Sequence, residues 1–185
     1  MQQHRPLLAA LILDALDDLE RSLSGLTPTD AERRMPGFSS VSYTVGHVAQ
    51  HIDSWVNDSL AGKQRDTYLS SNQFARGSAG DPVPWETVNT SFVKVLERAR
   101  SYLANVDEKA LAHESAYTGN QEALKGKIVT GNYRLARLVA HIYYHVGEIG
   151  TVRTTMGHRI QDFPSWLPGF LTSTGTLKAP TTSQK

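Results

Sequence analysis

The stretch GHVAQHIDSW (46–55) places His47 and His51 four residues apart within a helical pattern of apolar residues. Because a helix turns once every 3.6 residues, side chains four apart lie on one face, with their Cβ atoms about 6 Å apart. That spacing lets both imidazoles reach a single metal ion. The stretch therefore predicts a helix that carries a candidate metal site.

A later stretch, AHIYYHVGEIGTVR (140–153), repeats this spacing with His141 and His145. Apolar residues again recur with a helical period, and both histidines fall beside the apolar stripe. Two interpretations are open at this point. The four histidines could share one metal ion, or they could simply form hydrogen bonds in and around a helical core.

Four long segments have helical periodicity, and no segment has the pattern of a strong strand. These segments cover about 6–23, 44–60, 84–105 and 132–156. In the first, an apolar stripe faces one way, and Asp14, Asp17 and Asp18 face the other. Since each helix has one apolar stripe to bury, the sequence predicts an all-α protein built as a four-helix bundle.

The connections between these helices are long. The 62–84 segment is rich in Gly, Ser and Pro, which predicts a loop that could form a lid or rim over a site. The 106–131 segment has weak extended character and could form a small hairpin. We expect a bundle domain over 1–160, followed by an irregular C-terminal segment and tail over 161–185.

Composition narrows the classes of function. The 185-residue chain has a formal net charge of +1 and scattered Lys and Arg, which gives no reason to expect nucleic acid or a membrane as a partner. It has no Cys, which excludes disulfides, iron–sulfur clusters and cysteine nucleophiles. There is no signal-peptide pattern and no apolar run of the ~18 residues that a membrane span needs, so we expect a cytoplasmic protein.

Taken together, the two histidine segments resemble the DinB/YfiT-like superfamily of metal-binding four-helix bundles. The pair at 43–44 matches the aromatic-Ser/Thr start of the family's second helix, and the later segment matches its H-x-x-x-H-x-G-x-I pattern ending in Arg. The resemblance covers about 7–157. It implies that His51, His141 and His145 hold a divalent metal ion, zinc or nickel, with coordination positions left open.

Three further residues are candidates to assist at such a site. His47 could be a fourth ligand, an acid or base beside the metal, or an exposed residue, and we favour a non-ligand because a fourth ligand would close the site. Tyr144 could point into the site, although a stripe aromatic commonly packs in the core. Arg153 could bind a substrate carboxylate, or it could form a salt bridge that caps the bundle.

Two carboxylates are close enough in sequence to act in an outer shell around the metal. A ligating imidazole usually donates its second N–H to a carboxylate or a carbonyl, and Asp53 and Glu148 could accept such a hydrogen bond. The simpler interpretation is that both are solvated surface charges.

The resemblance also implies a function toward a small molecule. Several relatives use a low-molecular-weight thiol to transfer, isomerise or detoxify small electrophiles, so a thiol-dependent S-transferase is the first hypothesis. A metal-dependent hydrolase, in which the metal activates water, is the second. The third is a non-enzymatic metal-binding bundle of a stress response. The resemblance further predicts a homodimer.

Overall fold

The computed structural model of the protein describes residues 5–117 and 122–160, which are mainly helical. Its elements in chain order are α1 (Leu7–Leu23), α2 (Pro28–Glu32), α3 (Val41–Ile52), a π-helical turn (Asp53–Asp58), a 3₁₀ turn (Asn72–Phe74), α4 (Trp85–Asn105), α5 (Glu108–Ala112), β1 (Glu114–Ala116), a second 3₁₀ turn (Glu122–Leu124), β2 (Ile128–Thr130) and α6 (Gly131–Thr155). The predicted C-terminal segment, 161–185, lies outside the described residues.

The four long helices α1, α3, α4 and α6 form a four-helix bundle. Helices α1 and α3 each pack against both α4 and α6, so that α1 and α3 lie on one diagonal of the bundle. Each helix contributes an apolar stripe to one core, as Leu16, Ile52, Phe92 and Ile142 illustrate. The all-α bundle predicted from the apolar periodicity is confirmed. No helix in the described part of the chain is both long and apolar enough to cross a membrane.

Helix α1 buries more of its surface than its pattern predicts. Asp14 is 5% exposed and Asp18 is fully buried, although both were expected to face solvent with Asp17. Asp18 forms a 2.8 Å ion pair with Arg21 one turn later. The prediction was wrong for Asp14 and Asp18 because α1 contacts two long helices, which cover a wider stripe than one neighbour would.

Helix α3 begins three residues earlier than predicted, at Val41. The cap is Ser40, whose Oγ accepts a 3.2 Å hydrogen bond from the backbone N–H of Tyr43. At its other end α3 continues into the π-helical turn Asp53–Asp58, so the predicted 44–60 helix is one continuous helical segment with two geometries.

The long connection after this segment is anchored to it by side chains. Gln50 Nε2 donates to the carbonyl oxygens of Leu69 (2.6 Å) and Ser71 (3.1 Å). The carboxylate of Asp53, which is fully buried, accepts a 2.7 Å hydrogen bond from the backbone N–H of Asp66. The predicted loop therefore follows the surface of α3 closely instead of extending away from the bundle.

The second long connection forms the small hairpin that its extended character suggested. Strands β1 and β2 pair antiparallel, with Ser115 opposite Val129. Arg134 of α6 donates to Ser115 Oγ at 3.0 Å and to the Ala116 carbonyl at 3.3 Å, which holds the hairpin against the bundle.

Gly46 provides a test of how α3 packs against the loop. A Cβ at this position would overlap the ring of Phe74, which is fully buried. We expect Gly46→Ala to lower the free energy of unfolding by about 2 kcal/mol, because the ring must leave its packed position. Urea unfolding measures this change. Gly150→Ala is the control, since a Cβ there meets nothing within 4 Å and should stabilise α6 slightly. Equal effects of the two substitutions would contradict the close packing at Gly46.

Candidate metal centre

Helices α3 and α6 bring four histidine rings to one place. His47 and His51 come from α3, and His141 and His145 come from α6. The ring centroid of His141 lies 4.2 Å from that of His51 and 5.1 Å from that of His47, and the rings of His47 and His145 are 5.0 Å apart. The two i,i+4 pairs singled out in the sequence thus form one cluster across the interface between the helices.

Three of these side chains direct the same nitrogen atom at a common point. Nε2 of His141 lies 3.2 Å from Nε2 of His47 and 3.2 Å from Nε2 of His145. The possible ligand atoms of these three residues all lie within 4.8 Å of one another. The group His47, His141 and His145 could therefore hold a metal ion.

Outer hydrogen bonds fix the tautomers of two of the rings. His47 Nδ1 lies 2.7 Å from the carbonyl oxygen of Phe74, and His145 Nδ1 lies 2.7 Å from Oε2 of Glu148. Because a carbonyl and a carboxylate only accept, both Nδ1 atoms carry the hydrogen in the neutral rings. The Nε2 atoms of His47 and His145 therefore present lone pairs to the common point.

This arrangement fits a metal ion better than it fits hydrogen bonding among the rings. A neutral His141 has one ring hydrogen, whereas two lone pairs face its Nε2. Its Nδ1 atom is buried and has no hydrogen-bond partner among the described residues. A divalent cation would be bound by all three lone pairs at once, and the bonds from Phe74 and Glu148 are the outer-shell contacts that ligating imidazoles usually make.

Burial disfavours the charged form of His47, His51 and His141. Loss of solvent lowers the pKa of His47 below its ordinary value. It also lowers the pKa of His51 to about 3 and that of His141 to about 2, and the neighbouring histidines and Arg137 add to both shifts by opposing further positive charge. Neutral imidazoles are the form that binds metal, so these side chains need not lose a proton to bind it at pH 7.

The two candidate outer-shell carboxylates have different positions. Glu148 is half-buried and contacts His145, as one of the two interpretations proposed. Asp53 is fully buried and accepts hydrogen bonds from the Asp66 N–H and from Asn57 Nδ2. Among the described residues it therefore anchors the loop and does not orient a histidine ring. Neither is the solvated surface charge of the simpler interpretation.

The cluster opens into a cavity of about 560 Å³, a size suited to a small molecule. Tyr144 lines it, with its ring centroid 4.9 Å from that of His145. Trp55, from the π-helical turn, packs edge-on against His51 at 5.6 Å. The described lining residues are His47, Gln50, His51, Trp55, Ala75, Arg76, Arg137, His141, Tyr144 and His145.

Arg153 lies elsewhere and is not among the described residues that line this cavity. Its Nη1 donates to the carbonyl oxygens of Ser22 (2.7 Å) and Ser24 (2.8 Å), and its Nε donates to that of His158. The structure thus does not bring Arg153 to the histidines. Instead of the salt bridge that was the alternative expectation, Arg153 forms hydrogen bonds with carbonyl oxygens at the C-terminal end of α1.

The sequence analysis did not single out Arg137 or Arg76, which line the cavity. A signal existed for Arg137, which precedes His141 by four residues and so shares its face of α6. For Arg76 there was no local signal, because its place at the cavity depends on how the loop folds back on α3.

Comparison with known proteins agrees with this architecture. Residues 7–157 match the family model described as Mycothiol-S-transferase. The chain belongs to this family. The mycothiol-S-transferase family is DinB/YfiT-like, so the resemblance in the histidine segments is confirmed. No curated protein matches the chain.

Two solved structures share the fold of this mycothiol-S-transferase family member. A conserved protein from Enterococcus faecalis is 16% identical, with a TM-score of 0.57, and the match covers 82% of this chain and 96% of that one. A histidine-to-alanine variant of the mycothiol-dependent maleylpyruvate isomerase is 15% identical, with a TM-score of 0.53. That match covers 81% of this chain but only 64% of the isomerase chain.

The low pKa values of the buried histidines predict acid sensitivity of the metal-free protein. For His51 and His141 the folded pKa lies below the unfolded value near 6.5, so below that pH the unfolded chain binds more protons. The free energy of unfolding should therefore fall between pH 6.5 and about 3, by up to about 1.4 kcal/mol per pH unit for each histidine. Urea unfolding across this range gives the slope.

His51→Gln should reduce that slope by about one proton, since glutamine does not titrate. His113→Gln, at an exposed position, should leave the slope unchanged. A slope that is the same in His51→Gln as in the parent protein would show that burial does not keep His51 neutral.

Arg153 should matter for stability and not for metal binding. Arg153→Met leaves several carbonyl oxygens without their donor, and we expect the free energy of unfolding to fall by about 3 kcal/mol. Metal affinity, measured by calorimetry on the folded variant, should stay within a factor of two of the parent value. A large loss of affinity with unchanged stability would instead assign Arg153 to the site.

Proposed function

We propose that this protein is a metal-dependent thiol S-transferase, which joins the sulfur of a low-molecular-weight thiol of the mycothiol type to a small electrophile. The observation that carries the proposal is the convergence of three Nε2 atoms beside a small-molecule cavity, in a chain of the mycothiol-S-transferase family. One protein of similar fold is a mycothiol-dependent isomerase, which is consistent with a thiol cosubstrate.

We assign His47, His141 and His145 as the metal ligands. This set differs from the one implied by the sequence resemblance, which took His51 from α3. His47 is favoured because its Nε2 points at the other two ligand atoms and its Nδ1–H is held by the Phe74 carbonyl. His51 lies beside these three proposed ligands and forms part of the cavity wall.

Imidazole ligands suit zinc and nickel. When bound, such a cation would act as a Lewis acid and lower the pKa of a thiol that coordinates it. The protein's own contribution is orientation. Glu148 orients the His145 ring, and the hydrogen bond to the Phe74 carbonyl orients the His47 ring on α3.

The cavity walls determine how the two reactants meet. Trp55 and Tyr144 offer aromatic surfaces, and Gln50 adds an amide at the edge. Holding the sulfur and the electrophilic carbon in one cavity makes their reaction effectively unimolecular. In the transfer a carbon–sulfur bond forms, the bond from that carbon to its leaving group breaks, and the thiol proton passes to solvent.

A homodimeric assembly and a cytoplasmic location stay predictions.

The proposal is tested with mycothiol and 1-chloro-2,4-dinitrobenzene, whose chloride is displaced by sulfur with a change in absorbance. We expect turnover to require both zinc or nickel and the thiol. His47→Ala, His141→Ala and His145→Ala should each lose metal, measured by elemental analysis, and at least 100-fold in kcat/KM. Glu148→Gln should weaken metal binding by 10- to 100-fold.

Two controls accompany these variants. His113→Ala, at an exposed position, should retain both metal and activity. His51→Ala should retain metal, which separates the proposed ligand set from the one implied by resemblance. Turnover by the metal-free protein would contradict the proposal. Loss of an ester substrate without any thiol would instead favour the metal-dependent hydrolase.

A further inference from the structure

Two arginines line the cavity beside the histidine cluster. Arg137 lies one turn before His141 on α6, and Arg76 lies in the loop that follows the 3₁₀ turn at Asn72–Phe74. Both side chains are exposed. Neither forms an ion pair within residues 5–117 and 122–160, although Arg21, Arg33, Arg34 and Arg100 do. Two guanidinium groups without carboxylate partners therefore face one cavity.

A contact with an aromatic ring positions Arg137, and hydrogen bonds to the preceding backbone position Arg76. The guanidinium carbon of Arg137 lies 5.9 Å from the ring centroid of Trp55, a cation–π contact. Arg76 follows Phe74 and Ala75, whose carbonyl oxygens bond to His47 Nδ1 (2.7 Å) and to the hydroxyl of Tyr43 (3.2 Å). The backbone that positions Arg76 is thus fixed by the same bond that orients His47.

The electrostatics of the cavity are positive. Glu148, a carboxylate beside the cluster, is engaged by His145. Arg65 adds a further positive charge close enough to act on His51. Arginine's planar group binds carboxylates with two parallel hydrogen bonds, and a cavity lined by one sign of charge concentrates ions of the opposite sign.

From this geometry we infer that the site selects a reactant that bears a carboxylate or similar oxyanion, which Arg137 and Arg76 bind while its reactive atom faces the histidine cluster. This inference rests on the proposed function, because it takes the cavity to be the substrate site. It gives a specificity role to two residues that would otherwise be unpaired surface charges.

Binding is tested first on the metal-free protein, so that the result does not depend on turnover. The probes are 4-chloro-3-nitrobenzoate and 4-chloro-3-nitrobenzamide, which differ by one charge, measured by calorimetry. We expect the acid to bind at least tenfold more tightly than the amide. Arg137→Gln and Arg76→Gln should each reduce this preference, and the double variant should abolish it. Arg98→Gln, an exposed arginine of α4, is the control and should leave it unchanged.

Turnover with the zinc-loaded protein then identifies which reactant carries the anion. In the reaction sulfur bonds to the carbon that bears chlorine, chloride leaves, and the thiol proton passes to solvent. A higher kcat/KM for the benzoate than for the benzamide assigns the anion to the electrophile. A higher value for N-acetylcysteine than for its amide, with a neutral electrophile, assigns it to the thiol.

Equal binding of acid and amide, or a preference that survives in the double variant, would overturn this inference even if thiol transfer is observed. Arginine-dependent binding of the acid without any thiol transfer would have the opposite meaning, since it would remove the proposed function and leave anion recognition in place.

Discussion

The site depends on one constraint: three imidazole nitrogens meet in a buried space where they cannot all hydrogen-bond to one another. Two of them present lone pairs because the Phe74 carbonyl and the Glu148 carboxylate take the hydrogens on the far side of their rings. Protonation would supply the hydrogens that bonds between the rings lack, but burial opposes the protonation of His47 and His141. A cation bound at the common point would satisfy all three nitrogens, so the cluster fits a metal ion better than it fits a hydrogen-bond network.

The same helix that supplies half of the cluster also determines the course of the long loop. Gln50 and Asp53 hold the loop backbone at Leu69 and Asp66, and the missing side chain of Gly46 leaves space for the Phe74 ring. The carbonyl oxygen of Phe74 in turn accepts a hydrogen bond from His47 Nδ1. The position of the loop and the orientation of the His47 ring therefore depend on the same contacts. Those contacts also place the cavity residues that follow Phe74.

Periodicity was sufficient for the fold because each long helix has a clear apolar stripe to bury, and the bundle is the way in which four such stripes share one core. Its two failures have different causes. Asp14 and Asp18 are buried because α1 has two long neighbouring helices, which the pattern of a single helix does not contain. The start of α3 lies at Val41 because Ser40 provides the cap, and apolar periodicity does not identify a cap.

The sequence alone determined that this chain is a helical bundle, that two histidine pairs lie on its second and last long helices, and that these pairs are typical of a metal-binding family. Those features follow from spacing along one helix at a time. Tertiary structure decided which nitrogens converge, that Arg153 binds the end of α1, and that Arg137 and Arg76 face the cavity. The physical reason is that ligand geometry depends on the relative rotation of α3 and α6 and on a loop path, which only packing between distant segments can set.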